Sequence, residues 1–445
     1  MQTKQTSTTQ QLNKIIEFRQ RIYGEILIKG RDAQFELLDA MLNSGKIGCF
    51  AELSQNPVFR RQWNSVYKAI EEGDISTYWQ ERYFTKQVPQ KGIQVYPLDT
   101  TVWPHPQART LMGQVYASSP TKAIKKHSIV QGHQYSMLTW SPEVRQSWSL
   151  TISNQRLKPE QSAIEVGLGQ IKALCQGRKD PLKQGLDVIV ADGHYGNHHF
   201  FGPLQELPCA GLARLRRDRV LYGPPPPVYS GRGRPPVHGQ RFAFKEADTW
   251  PEPDELVELT HPRWGQVRLR RWNNLHAKQE ATVSFSVILA EVHLERDKPP
   301  KPLWLGYVPG HTDHSVEVVW SWFDYRWPIE PSIRFRKQSL YWTLPQFQDS
   351  DRCDRWSHLV DLAYWQLFLA RPLVQDQPLP WQKPQTNLTP HRVKQGFGSI
   401  FSQFGTPAQP PQTRGKSPGW PTGRPRTKPQ RYKPVRRGKK AVTLA

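Results

Sequence analysis

The sequence predicts an α/β core interrupted by a mostly β insertion, with a helical domain before it and a basic tail behind. Apolar spacing is helical through residues 1–90, alternates between strand and helix from residue 91, and turns strand-like over 208–304. Beyond Asp376 no acidic residue remains, while Lys and Arg recur to the last residues among Pro and Gly. The expected parts are 1–90, 91–207, 208–304, 305–375 and 376–445.

In the first part, Leu12, Ile15, Ile16 and Ile22 fall at roughly helical spacing, and Phe35, Leu37, Leu38 and Met41 mark a second helix. A third is capped by Ser54 or initiated by Pro57, with Arg60 and Arg61 near its start. In the second part, GIQVYPLDTT is β-rich and carries Asp99. QYSMLTW and SWSLTI are strands parted by a Ser-Pro turn, and residues 161–176 place apolar side chains on one helical face. LDVIVADGHYGN is a buried strand running into Asp192 and a loop.

Strand-like runs fill 208–304, broken by GPPPPVYSGRGRPPVHG, an exposed loop. Alternation along a strand would put Arg217 and Arg219 on one face and Arg214 and Arg216 on the other. Helical patterns return at about 316–341 and at 354–374. The residues after Asp376 form a basic tail, in which the Pro- and Gly-rich GTPAQPPQTRGKSPGWPTGRPRTKPQ reads as flexible and cannot bury a core.

A formal charge of +23 and a pI near 9.9 exceed what solubility requires and point to a polyanionic partner, nucleic acid above all. The four cysteines stand singly, so neither a zinc ribbon nor a disulfide framework is expected, and a reducing cytoplasm fits. No uncharged apolar run reaches the ~18 residues of a membrane span.

Asp99 and Asp192 both sit where a strand ends. A third carboxylate, Glu330, lies in WFDYRWPIEPSIRFRK, whose Phe323, Arg326, Glu330 and Lys337 follow the pattern F-x2-R-x3-E-x6-K. On a helix Arg326 and Glu330 lie i, i+4 on one face, with Lys337 two turns further along it; Pro331 kinks that helix or marks a restarted first turn. Three clustered carboxylates repel one another unless a cation is bound, and hard Mg²⁺ takes carboxylate oxygens. Two such ions stabilise both oxygens of an in-line phosphoryl displacement. Imidazole suits zinc better, so His194, His198, His199 and the HTDH run at 311–314 are read as loop histidines.

This set resembles the DDE transposases of bacterial insertion sequences, in the branch with a tyrosine-arginine-glutamate-lysine signature. Phe323 stands where that branch has tyrosine, which removes a hydroxyl that can contact phosphate. LDTTVWP, HSIVQGHQYS, VADGHYGN, GRGRPPVHG and GTPAQPPQTRGKSPG also look like stretches of these enzymes, described as DDE superfamily endonucleases.

The resemblance implies an RNase H-like core in which Asp99, Asp192 and Glu330 are catalytic and hold two Mg²⁺ (or Mn²⁺) ions. Arg326 and Lys337 would bind phosphates near the scissile bond, and Phe323, Arg217 and Arg219 would also face DNA. Relatives that form hairpinned ends flip a base onto an aromatic side chain. Trp304 lies in the region that supplies that residue, and its competing reading is a core tryptophan. The implied activity is cleavage at element ends and strand transfer into target DNA. The implied partners are double-stranded DNA with terminal inverted repeats, target DNA and a second copy of the chain, in the bacterial cytoplasm and on the nucleoid. The alternatives are a catalytically inactive or repurposed DNA-binding relative and an RNase H-fold nuclease without strand transfer.

Overall fold

A computed structural model of the chain describes residues 2–118, 129–178, 184–226, 231, 233–293, 301–413, 419, 422–423, 425, 428–435 and 443–444. Parts of the GPPPPVYSGRGRPPVHG loop and much of the basic tail lie outside the described residues.

The N-terminal part comprises α1 (Gln2–Arg21), β1 (Leu27–Lys29), α2 (Arg31–Asn43), α3 (Trp63–Glu71), β2 (Asp74–Ile75) and α4 (Thr77–Gln87). Ile22, in the turn of π-helix that follows the first helix, forms one buried stripe with Ile15 and Phe18 on that helix. Buried Arg19 on the same helix pairs with Asp39 at 2.7 Å and donates to Gln366 Oε1 at 2.6 Å. These helices therefore share a core with the C-terminal ones.

The central elements are β3 (Lys91–Pro104), β4 (Val115–Ser118), β5 (Ile129–Trp140), β6 (Leu150–Leu157), α5 (Ala163–Gly177), β7 (Gln184–Ala191), α6 (His198–Gln205) and β8 (Ala210–Arg214). β3 pairs antiparallel with β5, which pairs antiparallel with β6. On its other edge β3 runs parallel to β7, and β7 parallel to β8. Val188, Ile189, Val190 and Ala191 are all fully buried, the signature of a parallel strand covered on both faces. His198 and His199 open α6 instead of lying in a loop.

Beyond β8 the same sheet continues through β9 (Val220–Tyr222), β10 (Arg241–Ala243), β11 (Glu255–His261), β12 (Gly265–Ala277), β13 (Glu280–His293) and β14 (Leu303–Val308). β14 lies antiparallel to β8, so the described strands from β3 to β14 form one twelve-stranded mixed sheet.

The helical pattern at 316–341 resolves into α7 (Val316–Trp322), a tight 3₁₀ turn (Phe323–Arg326) and α8 (Ile329–Ser339). Pro328 caps the restart, and Pro331 falls in the first turn, where its missing N–H costs nothing. α9 (Ser350–Ala370) is buried on nearly every side. It lies on β6 and is covered by α1, α2 and α10 (Pro390–Phe401).

That last helix lies after Asp376 and ahead of the Pro/Gly-rich basic stretch that begins at Gly405. Val393, Phe397 and Ile400 recur at i, i+4 and i+7 and are buried, which outweighs the polar composition around them. Further on, Tyr432 N–H donates to Arg109 O and Val435 N–H to Gln114 O, holding that segment against the loop before β4. Among the described residues no helix is long and apolar enough to cross a membrane.

Candidate active site

Asp99 and Asp192 are brought together by strand register. Leu98 of β3 pairs with Ala191 of β7, so the residue following each is an aspartate on neighbouring parallel strands. Asp99 Oδ1 accepts from the Thr100 N–H at 2.7 Å. Asp192 ends the strand in an Asx turn, its Oδ1 accepting from the His194 N–H at 2.9 Å. Gly196 completes the turn where a Cβ would sit 2.2 Å from the Arg214 carbonyl oxygen, so only glycine fits.

Glu330 arrives from the first turn of α8. Arg326 Nη2 donates to Glu330 Oε1 at 2.6 Å, and Arg326 Nη1 stands 3.8 Å from Asp99 Oδ2. One guanidinium thus spans two of the three carboxylates. The Asp99 carboxyl is pushed up to about 6 by burial first and by the Asp192 charge second, with Glu330 adding to the rise. The Thr100 N–H and Arg326 oppose it. Such a site gathers negative charge faster than its own cation neutralises it. Its donors are all carboxylate oxygens, the set that hard divalent cations take, so the residues present fit such an ion.

The 3₁₀ turn before α8 is fastened from outside. Arg145, in the left-handed region at φ 59°, donates from Nε to Asp324 Oδ2 at 3.1 Å, and its Nη2 lies 3.3 Å from His261 Nε2. A non-glycine residue in that conformation is uncommon and stores strain that its surroundings must hold. Arg326 lies over the Phe323 ring at 5.8 Å, so Phe323 packs against the bridging cation.

Four of the sequence-derived positions sit differently from their expected places. Lys337 does not stand open beside Glu330: it turns to the sheet, where Nζ donates to the Val102 carbonyl at 2.7 Å, and burial lowers its pKa to about 8. Trp304 takes its core reading. It is 3% exposed, stacks on Phe244 at 4.1 Å and sits among Trp250, Trp272 and Phe242. Arg217 and Arg219 do not share a strand face, because β8 stops at Arg214 and a turn takes in Arg217 and Asp218. Arg219 Nη2 instead donates to the Gly196 carbonyl at 3.0 Å, bracing the loop that follows Asp192.

One residue that sequence reasoning passed over is Trp327. It lies between Arg326 and the α8 start and is 48% exposed, whereas most of the described tryptophans are buried. The signal available was its place inside the signature itself.

No curated protein matches the chain. A family model described as DDE superfamily endonuclease matches residues 27–277, more than half of the chain, taking in Asp99 and Asp192 and stopping short of Glu330. With Asp99 within β3 and Asp192 just past the end of the adjacent parallel strand β7, both inside the matched region, the chain belongs to the DDE superfamily endonucleases, nucleases of DNA that typically use divalent metal ions.

Proposed function

We propose that this chain is the transposase of a bacterial insertion sequence, cutting DNA at its element's terminal inverted repeats and joining the freed ends to target DNA. The reading rests chiefly on one observation: Arg326, the arginine of the signature, contacts both Glu330 and Asp99, whose strand-end neighbour is Asp192. The strand order β6-β5-β3-β7-β8, with three antiparallel strands followed by two parallel ones, supports an RNase H-like core. The strands that follow as far as β14 would be its β-rich insertion.

Asp99, Asp192 and Glu330 would hold Mg²⁺ (or Mn²⁺). When bound, a pair of such ions lowers the pKa of an attacking water or 3′-hydroxyl and neutralises charge on the phosphate. The protein's own residues do the rest. The Thr100 N–H orients Asp99, the His194 N–H orients Asp192, and Lys337 ties α8, which carries Glu330, to β3, which carries Asp99. Arg326, which reaches Glu330 and Asp99, would also contact a DNA phosphate beside the scissile bond. Exposed Trp327 offers the ring on which an unpaired base at the element end would stack. The +23 charge supplies sequence-independent attraction to the duplex. Two copies of the chain would hold the two element ends.

A paired-end assay tests this. Purified protein, Mg²⁺ and two labelled terminal-repeat duplexes should give nicked ends and, with a target plasmid, joined products. Nicking without joining would favour a nuclease of the same fold, and a gel shift alone would favour a DNA-binding relative.

A further inference from the structure

A second group of ligating side chains lies apart from the three carboxylates. His105 follows the end of β3, His133 is in β5 opposite Trp103, and Cys353 is in the first turn of α9. All three are fully buried, and one donor atom from each lies within 4.8 Å of the others. Cys353 Sγ and His105 Nε2 are 4.0 Å apart.

The hydrogen bonding of His133 decides its tautomer. Nε2 lies 2.9 Å from the Met112 carbonyl oxygen, which can only accept, so Nε2 carries the proton and Nδ1 keeps a lone pair. That Nδ1 is buried without a hydrogen-bond partner, and so is Nδ1 of His105. A buried polar atom left unpaired costs about 1–3 kcal/mol. The unpaired lone pair on His133 Nδ1, clustered with a thiol that His105 meets through Nε2, calls for a ligand. Histidines that bind metals characteristically give their other ring N–H to a backbone carbonyl, as His133 does.

We propose that His105, His133 and Cys353 bind one zinc-class transition-metal ion that pins α9 to the strands β3 and β5. The donor set of two imidazoles and one thiolate suits zinc and is wrong for magnesium. Zinc–nitrogen and zinc–sulfur bonds of about 2.0–2.3 Å would draw the three donors together by roughly an ångström. Burial holds both imidazoles in the neutral, ligating form, lowering His105 to about 3 and His133 to about 4. It also pushes the Cys353 thiol up, with Asp354 adding to the rise, so the thiol stays protonated until a cation compensates it. Binding breaks the S–H bond, forms the metal–sulfur bond and releases one proton to solvent. Three protein ligands leave one tetrahedral position for water. Because the cluster is fully enclosed, the ion would enter as the chain folds.

The test uses the full chain, expressed in zinc-supplemented medium and purified without chelator, with metal content read by mass spectrometry. About one zinc per chain is expected, and the same in Asp192→Ala, which separates this ion from any held by the carboxylates. Chains refolded with Co²⁺ should show a thiolate charge-transfer band that Cys353→Ser loses and Cys49→Ser keeps. His133→Gln should lower the zinc content several-fold. The wild-type count and cobalt spectrum stand alone should either variant misfold. Wild-type protein with neither zinc nor a cobalt–thiolate band overturns the proposal, as does a band that survives Cys353→Ser.

Discussion

Lys337 donates to the backbone carbonyl of Val102 at 2.7 Å, so the helix carrying Glu330 is tied to the strand carrying Asp99. The lysine that sequence spacing assigned to DNA acts here as a strap inside the protein. Replacing it with methionine keeps the bulk of the side chain and leaves the Val102 carbonyl without this donor. We expect Lys337→Met to cost about 1–3 kcal/mol of unfolding free energy. Metal-dependent cleavage should fall with it, while the dependence of DNA binding on salt should change little. Denaturant unfolding and a salt series of band shifts check both. A phosphate-binding lysine would instead lower the salt slope and leave stability intact.

Trp304 and Trp327 should separate cleanly. Trp304→Ala removes a buried ring from an aromatic cluster and should cost about 3–5 kcal/mol. Trp327→Ala removes a half-exposed ring and should leave stability within about 0.5 kcal/mol. It should lower end processing by roughly 5- to 150-fold, the worth of one stacked base at about 1–3 kcal/mol, with Trp327→Phe restoring most of it. Equal processing by Trp327→Ala and wild type would remove the stacking role.

Asp99 makes the site pH-sensitive in a defined direction. Its carboxyl titrates near 6 in the fold against an ordinary 3.8, so the folded metal-free chain holds this proton more tightly than the unfolded chain. The associated stability is fully present below about 4 and is lost as pH rises through about 6. A divalent cation reverses the preference, because it requires the ionised carboxylate. The rise in Tm on adding Mg²⁺ should therefore be large at pH 7.5 and small at pH 5, and cleavage should decline below about pH 6. An equal Tm shift at both pH values would contradict this.

The glycines after Asp192 differ sharply in what they tolerate. A Cβ at Gly196 would lie 2.2 Å from Arg214 O, while at Gly193 the nearest such atom is 3.8 Å away. Gly196→Ala should displace the loop, cost about 1–3 kcal/mol and reduce cleavage. Gly193→Ala should be nearly neutral. Calorimetry and the cleavage assay distinguish the two.

What the sequence disclosed follows from how local each signal is. The apolar runs ending at Asp99 and Asp192 are strand signals that need no tertiary information; β7 ends at Ala191 as expected, but β3 does not end at Asp99, because pairing with β5 carries it on to Pro104. The helical pattern over 316–341 restarts at α8, with Pro331 in its first turn as one of the two readings had it; the 3₁₀ turn before it, where Asp324 meets Arg145 from a distant segment, has no local signal. Arg217 and Arg219 were misjudged because strand alternation was extended past a turn. α10 was missed because the composition of the whole tail hid the short apolar stripe of Val393, Phe397 and Ile400. The His105, His133 and Cys353 cluster had no local signature, since three distant segments meet only in the fold.

The most direct measurement is Mn²⁺ binding by calorimetry, paired with end cleavage, for wild type and for Asp99→Asn, Asp192→Asn and Glu330→Gln. If these three carboxylates share the metal, each single change should weaken Mn²⁺ binding by more than about tenfold and cleavage by more than about 100-fold, with end binding and fold retained. Undiminished metal binding and cleavage in any one of the three folded variants would contradict the assignment.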